Sequence, residues 1–95
     1  MKGKIMPEYL IGYDIANPKR LMKIHKVMCG YALPLQLSVF LFEGTEPRLR
    51  ACLEVLQSMI CVQDDDIRCY RLTQRYRRYV LGQKAFTDGQ FVLDD

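Results

Sequence analysis

The chain has 95 residues, 49% of them hydrophobic and 26% charged, with a formal net charge of +3 at pH 7. This length suits one small domain, and this composition is that of a globular protein. No apolar run approaches the roughly 20 residues of a membrane-spanning helix, and none follows the basic N-terminus as in a signal peptide. We therefore expect a cytoplasmic protein with no membrane partner.

The first strand is predicted over residues 8–15, with Tyr9, Ile11 and Tyr13 on one face. Asn17 is suited to an N-cap and Pro18 to the first turn of a helix. Apolar residues then recur at helical spacing, and basic residues lie mostly around the other side. The apolar positions are Leu21, Ile24, Val27 and Met28, and the basic ones are Lys19, Arg20, Lys23 and Lys26.

Residues 31–34 are predicted as a turn or a very short strand, and residues 35–43 as the strongest strand of the chain. That strand is apolar on both sides, which predicts a cover on each face. We expect the helices on one face and a second copy of the chain on the other, which would carry leftover apolar groups such as Phe40 and Phe42. Thr45 can cap a second helix that has Pro47 in its first turn. Residues 67–72 alternate as a strand.

This order predicts an α+β protein with a ferredoxin-like βαββαβ sandwich, an extra C-terminal strand at 91–93, and a homodimeric state. We place the ferredoxin-like domain at residues 1–83. Residues 84–95 would be a C-terminal strand and acidic tail that pairs with a sheet edge.

The four cysteines, at positions 29, 52, 61 and 69, contain no C-x-x-C pair, and His25 is the one histidine. This spacing argues against a zinc site. Because each cysteine has apolar neighbours, we predict buried free thiols. His25 is predicted to be a boundary residue in the first helix. Ser38, which lacks a partner base, is predicted to be a small strand residue near the dimer face.

Asp14 is the candidate metal-binding and catalytic residue. It ends the first strand beside a helix N-terminus, where a hard metal ion and a phosphate backbone can meet. One carboxylate per chain is a poor Mg²⁺ site, but a two-fold axis would supply a second one from a partner copy. The alternative is that Asp14 caps the turn or helix that follows it.

Two basic segments, separated by an acidic one, indicate a polarised surface with an anionic partner. The candidate nucleic-acid-binding residues are Lys19, Arg20, Lys23, Lys26, Arg75, Arg77 and Arg78. Tyr76 lies between Arg75 and Arg77, and Tyr79 follows Arg78. Contacts of this kind bind the DNA or RNA backbone with little sequence choice. The alternative is that these charges are simply solvated.

Several short segments, in their order and spacing, resemble a known family. It is the small CRISPR-associated protein of the spacer-acquisition complex, the second of that numbered series. The segments are Tyr13-Asp14-Ile15, Pro18-Lys19-Arg20-Leu21, Gly30-Tyr31, Gln36-Leu37-Ser38-Val39-Phe40 and Asp66-Ile67-Arg68-Cys69-Tyr70-Arg71-Leu72. The family often has an arginine before the glutamine of the central strand, where this chain has Leu35.

The resemblance implies a ferredoxin-like homodimer in which Asp14 approaches its symmetry mate and binds Mg²⁺ or Mn²⁺. It also implies nucleic-acid binding and a complex with a larger CRISPR integrase subunit. Two roles remain open: a metal-dependent endonuclease acting on RNA or DNA, and a non-catalytic scaffold that clamps DNA for the integrase. A related toxin-like ribonuclease is a third hypothesis.

Overall fold

The computed structural model describes residues 6–73, which form a four-stranded antiparallel sheet and two helices. Their order is β1 (Glu8–Asp14), α1 (Pro18–Met28), β2 (Leu33–Gln36), β3 (Val39–Glu43), α2 (Glu46–Met59) and β4 (Asp66–Leu72). The strands lie in the order β2-β3-β1-β4, which is the ferredoxin-like arrangement and confirms the predicted α+β fold.

The predicted C-terminal strand at 91–93, and the predicted boundary between 1–83 and 84–95, lie outside the described residues. Within residues 6–73, neither helix is long and apolar enough to cross a membrane.

Both helices begin at the caps that the sequence predicts. The Asn17 side chain accepts a hydrogen bond from the Arg20 backbone N–H at 2.9 Å, and Pro18 occupies the first turn of α1. The Thr45 hydroxyl accepts from the Arg48 N–H at 3.4 Å at the start of α2. The buried helix residues are Ile24, Met28, Leu49, Cys52 and Leu56. The predicted helical spacing is therefore confirmed.

The helices pack on the face of the sheet that carries the rings of Tyr9, Tyr13, Phe40 and Phe42. Ile11 pairs with Phe40 and Tyr9 with Phe42 across β1 and β3, and directly paired residues share a face. Phe40 is fully buried, and its ring stacks on that of Tyr13 with centroids 6.0 Å apart. The helix-side core therefore contains β1, β3, α1 and α2 together.

The assignment of Phe40 and Phe42 to the face away from the helices is wrong. That face instead carries a second buried cluster of Leu10, Val39, Leu41 and Leu72. Because β3 is apolar on both sides, its sequence could not decide which side the helices cover. The larger rings lie where two helices bury them.

The predicted single strand over residues 35–43 is also wrong, because a tight turn at residues 37–38 divides it into β2 and β3. Other elements satisfy the polar groups of this turn. The Tyr13 backbone N–H donates to the Ser38 carbonyl at 3.1 Å. The Leu37 carbonyl accepts from the Tyr13 hydroxyl at 3.3 Å and from His25 Nδ1 at 2.8 Å. Ser38 is thus a turn residue rather than a strand residue.

Candidate functional site

Asp14 lies exposed at the end of β1, on the sheet face away from the helices. Its cross-strand partner on β4 is Asp66, which is also exposed. Directly opposed residues of antiparallel strands have Cβ atoms about 4.5–5.5 Å apart, on the same face. The fold therefore gives Asp14 a second carboxylate within one chain. We call Asp14 and Asp66 the acidic pair.

Arg68 is the nearest basic residue of β4 to the acidic pair. Its Nε donates to Asp66 Oδ2 at 2.8 Å, and 68% of its side chain is exposed. The hydrogen bond to Asp66 raises the pKa of the Arg68 guanidinium, so the group remains a cation. Arg68 is directly opposite Gly12, which has no side chain to cover the sheet at that point. A phosphate could therefore approach Arg68 closely.

Asp65, the neighbour of Asp66, fixes the segment that follows Asp14. Its carboxylate accepts from Arg20 Nε at 2.7 Å, from Arg20 Nη2 at 3.0 Å and from the Ala16 N–H at 2.9 Å. The Cys61 N–H donates to the same carboxylate at 2.8 Å. The side-chain hydrogen bond from Arg20 is the main reason that the pKa of Asp65 is held well below its usual range.

The lysine stripe is formed by Lys19, Lys23 and Lys26, which are exposed and spaced at helical intervals along α1. Within residues 6–73, no carboxylate forms an ion pair with any of the three. α1 begins four residues after Asp14, so the first lysine of the stripe follows the acidic end of β1 closely along the chain. The stripe is a continuous cationic surface of the kind that binds phosphate backbones.

Arg20 differs from the three lysines, because its guanidinium is already engaged in the ion pair with Asp65. Its role in nucleic-acid binding stays a prediction. The predicted contacts by Arg75, Arg77 and Arg78 lie outside the described residues.

The donors of the acidic pair suit a hard cation. Mg²⁺ and Mn²⁺ prefer carboxylate oxygens and use one or two of them, with waters and substrate phosphates completing the shell. In the described part of the chain, no group of three or more His, Cys, Asp or Glu side chains could hold a metal ion. A metal at the acidic pair would therefore take its remaining ligands from water, from a phosphate or from a second chain.

His25 is separate from the acidic pair, because its ring contacts Phe40 on the helix side of the sheet at a centroid distance of 5.3 Å. It is half-buried, as predicted for a boundary residue. All four cysteines are free, as predicted, but only Cys52 is buried. Cys61 and Cys69 are half-buried and Cys29 is exposed, so the prediction of burial is wrong for these three thiols.

A family model described as CRISPR associated protein Cas2 matches residues 6–80 of the chain. The chain belongs to this family. The Cas2 relatives include a protein of Nitrosomonas europaea named CRISPR-associated endoribonuclease Cas2 1, which is 34% identical over 89 residues. That alignment covers 94% of this chain and 85% of the relative.

A second Cas2 relative, from Thermodesulfovibrio yellowstonii, is named CRISPR-associated endoribonuclease Cas2 3 and is 38% identical over 89 residues. The alignment covers 92% of this chain and all of that relative. Among solved structures, Cas2 of Streptococcus pyogenes superposes with a TM-score of 0.68 at 28% identity, covering 76% of this chain and 93% of that one. The resemblance drawn from the sequence segments is thereby confirmed.

Asp66 and Arg68 were not predicted as site residues from the sequence. Asp64, Asp65 and Asp66 look like one acidic turn, yet β4 begins at Asp66 and places it opposite Asp14. The available signal was the alternation of Asp66, Arg68 and Tyr70, which puts an acid and a base on one strand face. Choosing that face required the pairing register of β1 with β4.

Proposed function

We propose that this chain is a CRISPR-associated, metal-dependent endonuclease subunit that acts on RNA as a homodimer. The observation that carries the proposal is the acidic pair at the exposed end of β1 and β4, with Arg68 beside it. Membership of the Cas2 family, and the endoribonuclease names of the relatives, support RNA as the substrate class.

Asp14 would hold the Mg²⁺ or Mn²⁺ ion, and Asp66 could add a second carboxylate. When bound, such an ion polarises a phosphoryl oxygen and lowers the pKa of a coordinated water. Arg68 would bind a non-bridging phosphate oxygen and orient the scissile group. Its hydrogen bond to Asp66 keeps the guanidinium on the same strand face as the acidic pair.

The homodimer is the second part of the proposal. The acidic pair lies on the sheet face away from the helices, so a second copy that brought its own Asp14 close would dock on that side. Two chains would then provide two first-strand carboxylates around one ion, which is closer to the usual ligand number for Mg²⁺. A CRISPR integrase subunit as further partner, and the cytoplasm as location, rest on family membership.

The experiment that tests the proposal uses the full 95-residue chain with labelled single-stranded RNA and double-stranded DNA. We expect cleavage of the RNA in Mg²⁺ or Mn²⁺ and none in EDTA, because the described site offers carboxylates as ligands rather than a complete metal-free acid–base pair. Cleavage that continues undiminished in EDTA would contradict the metal-dependent mechanism. Cleavage of the DNA alone would contradict the substrate class.

A non-catalytic DNA-clamping scaffold is the second candidate. It is favoured by the lysine stripe, which offers backbone contacts that need no chemistry, and by the engagement of Asp66 with Arg68. In this role the protein would bind duplex DNA without cleaving either substrate, in the presence or absence of metal.

Replacing Lys19, Lys23 and Lys26 by Gln should weaken nucleic-acid binding and flatten its salt dependence. Each lysine that neutralises a phosphate of a single strand contributes roughly 0.7 to the slope of log affinity against log salt, so the triple variant should lose about 2 from that slope. Binding titrations at several salt concentrations between about 50 and 200 mM measure this slope. The control is Arg48→Gln with Arg50→Gln, which removes two positive charges from α2. An equal loss of slope per removed charge in the control would argue against α1 as the binding surface.

A further inference from the structure

Cys29 and His25 form a thiol–imidazole pair at the C-terminal end of α1. Cys29 Sγ lies 3.5 Å from His25 Nε2, and the spacing of four residues holds both side chains on one helix face. Cys29 is exposed, whereas His25 is half-buried and rests against the ring of Phe40. The base is therefore anchored, and the thiol beside it is open to solvent.

The position of the imidazole proton follows from the partner of the other ring nitrogen. His25 Nδ1 lies 2.8 Å from the Leu37 carbonyl oxygen, which can only accept, so Nδ1 carries a proton. In the neutral ring, Nε2 then has a free lone pair directed at the Cys29 thiol. A nucleophile, an adjacent base and a third group that orients the base together make an activated nucleophile.

The other three cysteines lack this arrangement. Burial raises the pKa of the Cys52 thiol to about 11 and also raises the pKa of Cys69. The Cys61 thiol donates to Asp64 Oδ2 at 3.4 Å, so its partner is a carboxylate and not an imidazole. Because the thiolate is the reactive form, the four cysteines should differ strongly in reactivity.

We propose that Cys29 is a site of S-thiolation by low-molecular-weight disulfides, with His25 as the base. His25 Nε2 takes the thiol proton, and the Cys29 thiolate attacks one sulfur of the disulfide. The new protein–sulfur bond forms as the S–S bond of the reagent breaks, and the departing thiolate takes the proton from His25. The products are a mixed disulfide at Cys29 and one free thiol, so atoms and electrons balance without a further oxidant.

This site is independent of the proposed nuclease function. Cys29 and His25 lie by the helix-side core, whereas Asp14, Asp66 and Arg68 lie on the opposite sheet face. The mixed disulfide would project from the end of α1 beside the turn between β2 and β3. It would also remove the hydrogen bond between Cys29 and His25.

The test incubates the full chain with glutathione disulfide at pH 7 and measures the rate at each cysteine by mass spectrometry of peptides. We expect Cys29 to react at least about ten-fold faster than Cys61, with Cys52 protected until denaturant is added. His25→Gln should slow Cys29 about ten-fold at pH 7 and leave Cys61 unchanged. Continued protection of Cys52 shows within the same experiment that the variant is folded.

Two outcomes would overturn the proposal: equal rates at Cys29 and Cys61, or an unchanged Cys29 rate in folded His25→Gln. If that variant does not fold, the wild-type chain is tested instead. The rates of alkylation of Cys29 and Cys61 by iodoacetamide are then measured between about pH 6 and pH 9. The Cys29 rate should then rise much less steeply with pH than the Cys61 rate. A Cys29 rate that rises with pH as steeply as the Cys61 rate, or more steeply, would contradict a base at Cys29. A shallower rise at Cys29 would support it.

Discussion

Replacing Asp14 by Asn should abolish the proposed metal-dependent RNA cleavage while leaving the fold intact. Loss of groups that merely support a metal ligand typically costs 10–100-fold in affinity or activity, so loss of the ligand should cost at least about 100-fold. The measurement is the cleavage rate in saturating Mg²⁺ or Mn²⁺. Asp64→Asn, which removes an equal charge from the exposed turn before β4, is the matched control.

The same substitution should not destabilise the protein. Asp14 is exposed, and it lies directly opposite Asp66, so the two carboxylates repel each other across the strands. Asp14→Asn removes this repulsion, and the Tm should stay the same or rise slightly. Added Mg²⁺ should raise the Tm of the wild-type chain but not that of the variant, because a ligand stabilises only the form that binds it.

Loss of cleavage together with an unchanged Tm would distinguish a functional role of Asp14 from a structural one. If Asp14 were a cap of the following turn, its replacement would lower the Tm and affect cleavage only through unfolding. Full cleavage by a folded Asp14→Asn variant would remove the residue from the mechanism. It would leave the DNA-clamping scaffold as the better account of the acidic pair and the lysine stripe.

The helices and the general fold were predictable from sequence because their signals are local. Asn17 with Pro18, and Thr45 with Pro47, mark helix starts within a few residues, and apolar spacing marks the buried faces. The order of elements then leaves few arrangements for so short a chain. Asp14 was likewise identifiable as an acid where a strand ends before a helix.

The turn at residues 37–38 was not predictable because the chain there carries no turn signal. Leu37 and Ser38 lie in a run of residues with high β-propensity, without the Gly, Asn or Asp typical of short hairpins. The turn is stabilised from outside by hydrogen bonds from Tyr13 and His25, which are 24 and 12 residues away from Leu37. Tertiary contacts of this range outweigh local preference.

The contacts of the three consecutive acids before and at the start of β4 were likewise not predictable from the local sequence. Asp64 accepts from a thiol, Asp65 binds Arg20, and Asp66 pairs with Asp14 in the strand register. Nothing local distinguishes them, since their partners lie up to 52 residues away along the chain. Acidic runs are ordinarily assigned to solvated turns, and here the fold gives each member a different contact.

Asp65→Ala should produce the largest loss of stability among substitutions of the acidic residues. It would leave the Arg20 guanidinium and the N–H groups of Ala16 and Cys61 without their shared acceptor. Breaking a shielded, fully hydrogen-bonded ion pair is strongly destabilising, and in a domain of this size we expect the Tm to fall by roughly 10 °C or more. Thermal unfolding followed by circular dichroism measures this change, with Asp64→Ala as the matched control.

The pH dependence of the stability lost on replacing Asp65 identifies the Arg20–Asp65 ion pair as its cause. The pKa of Asp65 is lower in the folded chain than in the unfolded one, chiefly through the hydrogen bond from Arg20. Such a group stabilises the fold above its unfolded value, about 3.9, and this contribution disappears as the pH falls through the lower folded value. The stability gap between wild type and Asp65→Asn should therefore be constant above about pH 5 and narrow below pH 4.

Because Asp65 also holds the backbone of Ala16, two residues beyond Asp14, its loss should reach the candidate site. At a temperature where Asp65→Asn is still folded, we expect slower RNA cleavage than in Asp64→Asn, with Asp14 itself unchanged. Arg20→Gln removes the same ion pair from the other side, so it should show a similar loss of stability and of cleavage. A folded Asp65→Asn variant that cleaves at the wild-type rate would limit this residue to stability, and would leave Asp14 positioned by β1 alone.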